Sequence, residues 1–185
     1  MRRHRMLSLM PGLAAAALFA WGCDRPATPA GPKPSFWAGG PGTCPAGERF
    51  TGGGRIDPPA GKTTFGFNVD GSDFCEHEGG AIKGQLQTVY HPTQTLVHSL
   101  TIDDFHSFQD PARGGECAEW GGTARVKDGN GGWYEERFDA VACDNGEPGS
   151  SPGRGPDRYG ITLSDGRSTG TTDLTGGNIQ AHKAH

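Results

Sequence analysis

The side chains of this sequence that could do chemistry are few and lie far apart. Asp144, Asn145 and Glu147 crowd one polar stretch, and Asp157 follows after a run of Gly, Pro and Ser. Several oxygen donors on flexible chain are what Ca²⁺ takes, so these four residues form a candidate calcium set. Their spacing is not that of an EF-hand, and Asn-Gly and Pro-Gly also serve any plain turn. Glu76-His77-Glu78 offers a base or metal ligands, but neighbours on extended chain point in opposite directions. His98 is expected on an apolar strand face opposite Thr88, as a hydrogen-bonded core histidine, and His91 is expected in a turn. Gly149-Ser150-Ser151-Pro152-Gly153 spells G-x-S-x-G. A nucleophile elbow needs a strand before it and a helix after it, whereas this stretch reads as loop. Catalysis needs an acid, a base and a pocket together. Here the candidates are scattered, and a non-catalytic protein is expected.

The cysteines set the compartment. Arg2, Arg3 and Arg5 precede an apolar run from Met6 to Gly22 that ends at Cys23. The run is too short for a membrane span and reads as a signal peptide, residues 1–22. Ala20-Trp21-Gly22-Cys23 resembles a bacterial lipobox, in which the cysteine is lipidated after cleavage. It departs from that pattern at Ala20 and Trp21, and ordinary cleavage nearby would leave Cys23 a free thiol. The chain has five cysteines. With Cys23 lipidated, Cys44, Cys75, Cys117 and Cys143 remain for two disulfides, the default in an oxidising compartment. Residues 23–43, rich in Pro, Ala and Gly, read as a tether to a folded part spanning 44–185. The expected location is the cell envelope, facing the periplasm or the exterior, with the membrane contacted only through the lipid.

Composition narrows the fold. Of 185 residues, 32 are Gly and 14 are Pro, while Leu, Ile, Val and Phe together number 28. Such a chain cannot fill a thick helical or α/β core. Its formal charge is −4, and −7 without the three leader arginines, which argues against binding to a phosphate backbone, so no nucleic-acid partner is expected. Apolar residues alternate in short runs bounded by Gly, Asp and Asn. Phe65, Phe67 and Val69 form one run, Leu96, Leu100 and Ile102 another, and Tyr159, Ile161 and Leu163 a third. The pattern predicts an all-β domain of eight to nine short strands, stapled by disulfides, in a single antiparallel sandwich or barrel.

Two hairpins can be registered from sequence. Centring the turn 127–132 on Asn130 sets Trp120 against Ala140, Val126 against Tyr134, Arg125 against Glu135, and Cys117 against Cys143. Core face, ion pair and disulfide then agree, and Cys44 and Cys75 pair by elimination. Glu136 is the misfit, because it falls on the apolar face beside Ala124. The second hairpin, centred on Thr93, pairs Tyr90 with Leu96, Thr88 with His98, and Leu86 with Leu100.

Thr51-Gly52-Gly53-Gly54-Arg55-Ile56, Thr64-Phe65-Gly66-Phe67-Asn68, Gly84-Gln85-Leu86, His91, Asp144-Asn145-Gly146-Glu147-Pro148-Gly149 and Gly176-Gly177-Asn178-Ile179-Gln180 occur in that order. In these motifs the chain resembles the post-COAP domain family of secreted bacterial proteins, over about Phe50 to Lys183. It departs from the family in its four paired cysteines and in an insertion from Gly71 to Gly80. The resemblance implies an all-β extracellular module without an established catalytic activity. Two functions are expected from the sequence. One is a non-catalytic envelope module binding a glycan, a protein or another envelope component, with Trp37, Phe108, Trp133 and Tyr134 as stacking surfaces. The other is a small secreted hydrolase or metal-dependent enzyme.

Overall fold

A computed structural model describes residues 44–77, 79–146 and 155–182. Nine strands carry the fold: β1 (Arg49–Ile56), β2 (Thr63–Asp70), β3 (Lys83–Tyr90), β4 (Thr95–Ser99), β5 (Asp104–Gln109), β6 (Glu116–Asp128), β7 (Trp133–Asp144), β8 (Arg158–Leu163) and β9 (Thr172–His182). One helix, α1 (Ser72–Glu76), lies inside the segment 71–80. The fold is all-β, as expected. Each strand pairs antiparallel with a neighbour, in the order β4-β3-β2-β1-β9-β8-β7-β6-β5, and β4 also pairs with β6. That last pairing closes the sheet on itself, so of the two architectures left open by the sequence the chain adopts the barrel.

β4 and β5 lie end to end along the same edge of β6. Thr95 to Ser99 face Asp128 to Ala124, and Asp104 to Gln109 face Gly121 to Glu116. Together they make one wall broken by a bulge at residues 100–103, where Leu100 N–H and Thr101 N–H both donate to the Thr123 carbonyl. Gly122 sits under this bulge, and any Cβ there would overlap the Thr101 carbonyl oxygen. Counted this way the barrel has eight walls, a size whose interior is filled by side chains or holds one small ligand.

The interior is aromatic at its middle. Tyr159 is fully buried and stacks on Phe65 with ring centroids 3.8 Å apart, while Phe67 meets Trp120 at 4.7 Å. The Tyr159 hydroxyl shares a 2.7 Å hydrogen bond with Thr88, which satisfies both groups across the barrel.

The β6–β7 register is the expected one, including Cys117 opposite Cys143, Arg125 opposite Glu135 and Ala124 opposite Glu136. Both expected disulfides are present, Cys44–Cys75 and Cys117–Cys143. They span sequence separations of 31 and 26 residues, so each stabilises by about 3 to 4 kcal/mol on the chain-entropy account.

The β3–β4 register differs from expectation by one residue: Tyr90 faces Thr95, Thr88 faces Val97, and Gln87 faces His98. His98 therefore lies on the outer wall and is not a core histidine. Val97 is buried, whereas Leu100 is 48% exposed. The cause is that polar residues on the inner face all find partners. Thr88 bonds Tyr159, Thr95 donates to Asp128, and the Ser99 hydroxyl accepts from Leu86 N–H. With those groups satisfied, the stronger apolar alternation of Leu96 and Leu100 does not decide the face. A smaller difference concerns β5, which the sequence did not suggest.

The register predicts which residue matters. Val97→Ala should destabilise the domain by about 2 kcal/mol, and Leu96→Ala by less than about 0.5 kcal/mol, in urea titrations. Equal losses, or the reverse order, would restore the register centred on Thr93.

Candidate functional site at the barrel mouth

The two ends of the barrel differ. At one end the segment from Cys44 crosses to β9 and α1, with Glu48 N–H on the His182 carbonyl and Gly71 N–H on the Glu48 carbonyl. Both disulfides lie at this base. So do Asp144, Asn145 and Asp157, and the two carboxylates among them are committed to the backbone. Asp157, buried, accepts from Asn145 N–H at 2.9 Å and Ile179 N–H at 2.7 Å. Asp144 accepts from Gly146 N–H at 2.8 Å and Ala181 N–H at 2.9 Å. Asn145, also buried, donates its amide to the Pro156 carbonyl at 2.7 Å, and its side-chain oxygen has no hydrogen-bond partner. Carboxylates that accept backbone N–H groups, one of them buried, join the loop after β7 to β9. That structural role is the one their contacts show. Glu147 lies outside the described residues.

The opposite end carries the turns 57–62, 91–94, 129–132 and 164–171, and between them opens a cavity of about 560 Å³. Val97, Ile161, Leu163 and Thr88 form its floor; Tyr90, Thr93, Thr95, Ser168 and Thr169 line its walls. The rim is held by a charged cluster. Asp128 takes the Tyr134 hydroxyl at 2.6 Å, the Thr95 hydroxyl at 2.8 Å and Arg167 Nη1 at 2.7 Å. Arg167 also donates Nη2 to the Tyr134 hydroxyl at 2.6 Å and Nε to Asp165 at 2.7 Å. The Tyr134 hydroxyl, followed by Thr95 and Arg167, holds the Asp128 carboxyl below the usual carboxylate range, against the opposing effect of burial. Burial works against the Arg167 charge, yet its bonds to Tyr134, Asp128 and Asp165 outweigh this and hold it firmly protonated. Burial and the bond to Asp128 raise the Tyr134 phenol. Glu136, the misfit of the hairpin register, meets the Ser164 hydroxyl near this end.

The remaining sequence candidates do not converge. His77 pairs with Asp73 at 3.3 Å beside α1, His91 meets the Thr64 hydroxyl at 3.0 Å, and His98 borders a second depression of about 560 Å³ on the outer wall over Gly66. Phe108 stacks on His106, Trp133 carries Arg125 over its ring, and Tyr134 belongs to the rim; these aromatics form no shared platform. Cys23, Trp37, Glu78 and the G-x-S-x-G stretch fall outside the described residues. Among the described residues no helix is long and apolar enough to cross a membrane. Sequence reasoning missed Asp128 and Arg167 because one ends β6 and the other stands in the turn after β8, 39 residues apart, and nothing local shows that the two meet.

No family model matches the chain, and neither a curated protein nor a solved structure is similar enough to it to suggest an assignment. The site therefore rests on its own geometry: an apolar floor, a few oriented polar groups and an opening at the mouth of a barrel.

Asp128 is held below its unfolded value of about 3.9, so its contribution is fully present above that pH and is lost as pH falls through the folded value. Asp128→Asn should cost about 1 kcal/mol at pH 7, the scale of partly exposed charge-assisted contacts. The gap between parent and variant denaturation midpoints should close as pH falls below about 4. A gap independent of pH would show that the carboxylate charge contributes nothing.

Proposed function

We propose that this chain is an exported binding module, tethered to the cell envelope through Cys23, that takes a small apolar ligand into the mouth of its barrel. The observation that carries the reading is the cavity of about 560 Å³ floored by Val97, Ile161 and Leu163. Its size falls in the range of small-molecule sites. Two disulfides suit an oxidising compartment outside the cytoplasm. The dispersal of His77, His91 and His98 speaks against the hydrolase reading, which needs an acid and a base at one pocket. The post-COAP resemblance is compatible with a non-catalytic module of this kind.

Binding of the uncharged dye Nile red, followed by its fluorescence, tests the reading. The soluble Cys23→Ala chain should bind the dye. Leu163→Trp on the floor and Thr93→Trp on the wall should each weaken binding at least tenfold, while Gln87→Trp on the outer wall should leave it unchanged. Equal binding by all of these folded variants would place the dye elsewhere and refute the site. In the producing cell, Cys23→Ala should move the protein from the membrane fraction to the soluble one, and a variant that stays with the membrane would refute the tether.

A further inference from the structure

We infer that the mouth selects an uncharged ligand with a carbonyl head group, a ketone, ester or lactone on an apolar body; this rests on the mouth being a binding site. The inward hydroxyls are already engaged. Thr88 bonds Tyr159 at 2.7 Å, Thr93 bonds Thr95 at 2.7 Å, Tyr90 donates to the Ala60 carbonyl at 2.6 Å, and Ser168 bonds Thr162 at 2.8 Å. Asp128 receives three hydrogen bonds, against roughly four acceptor positions on a carboxylate. Arg167 spends three N–H groups on Asp165, Asp128 and Tyr134, whereas a guanidinium has about five. Within the charged cluster this leaves about two Arg167 N–H groups against one Asp128 acceptor position, so a ligand that brings an acceptor meets the larger share.

Charge then chooses among acceptors. Asp128 and Asp165 both pair with Arg167 at 2.7 Å, so two carboxylates face one guanidinium and the cluster is net negative. A ligand carboxylate would meet Arg167 only while lying beside two like charges, a costly approach in a partly desolvated site. An ammonium head can only donate, so it cannot use the Arg167 donors, and at Asp128 it would lie beside the Arg167 charge. A carbonyl accepts from the Arg167 fork without adding charge, and its alkyl body covers Val97, Ile161 and Leu163.

Titration calorimetry with 2-nonanone, nonanoate and nonylamine separates these cases at equal chain length. The parent should bind 2-nonanone at least tenfold more tightly than either charged probe. Arg167→Met should weaken 2-nonanone about tenfold, and Arg167→Lys, which keeps the charge but loses the planar fork, several-fold. Asp165→Asn, which removes one of the two carboxylates, should strengthen nonanoate several-fold and leave 2-nonanone within twofold. Nonanoate or nonylamine binding as tightly as the ketone, or an unchanged ketone affinity in folded Arg167→Met, would overturn the head-group assignment while leaving the cavity as a site. Failure of all three probes to bind, together with failure of Nile red, would overturn the site itself.

Discussion

Closure of the sheet between β4 and β6 is the contact on which the rest of this structure depends. Large aliphatic and Phe residues are scarce in the chain, and an open sheet would spread them over two faces. Ring closure directs every inward side chain at one interior, so Tyr159, Phe65, Phe67 and Trp120 pack together with Phe138, Leu86 and Val126 in one buried cluster. It also removes the two free edges that β4 and β6 would otherwise present, which are prone to pair with other chains. The bulge at 100–103 and the missing side chain at Gly122 allow one broken wall to follow the whole edge of β6.

Closure produces a tube, and the sequence finishes its two ends differently. At the base, two disulfides and the carboxylates of Asp144 and Asp157 tie loops to strands, leaving buried backbone donors satisfied. At the mouth there is no comparable plug. The interior instead ends in an apolar hollow whose rim is fixed by Asp128, Arg167, Tyr134 and Thr95. Rigid base and patterned mouth together give a preformed site, so a ligand need not order the walls on binding. The aromatic stack beneath the hollow sets its depth, because Tyr159 and Phe65 fill the middle of the barrel.

Much of the fold was legible in the sequence, and the failures have specific causes. The β6–β7 hairpin could be read because a glycine-rich turn, an Arg–Glu pair, two cysteines and an apolar face all demanded one register. The β3–β4 hairpin offered only apolar alternation, and Leu96 and Leu100 outweighed the run of Thr95, Val97 and Ser99, two of them polar, that in fact faces inward. Its inner hydroxyls are stabilised by Leu86 N–H within the hairpin and by Tyr159 and Asp128, whose positions follow only from the closed barrel. β5 escaped notice because Phe105 and Phe108 are three apart, and only Phe105 points into the core. The calcium set was a reading of residue types in a loop, and residue types alone do not show that the Asp144 and Asp157 carboxylates accept backbone N–H groups. The mouth had no sequence signature, since its charged pair joins the end of β6 to the turn after β8, and each is ordinary taken singly.

The closed barrel is the central claim, and native-state amide hydrogen exchange of the folded domain tests it most directly. In β4 and β6 the amides at the closing seam, between Thr95–Ser99 and Ala124–Asp128, should exchange as slowly as those between β1 and β2 at the same depth. Fast exchange confined to that seam, with the other ladders protected, would mean an open sheet. An open sheet would have neither a single interior nor a mouth.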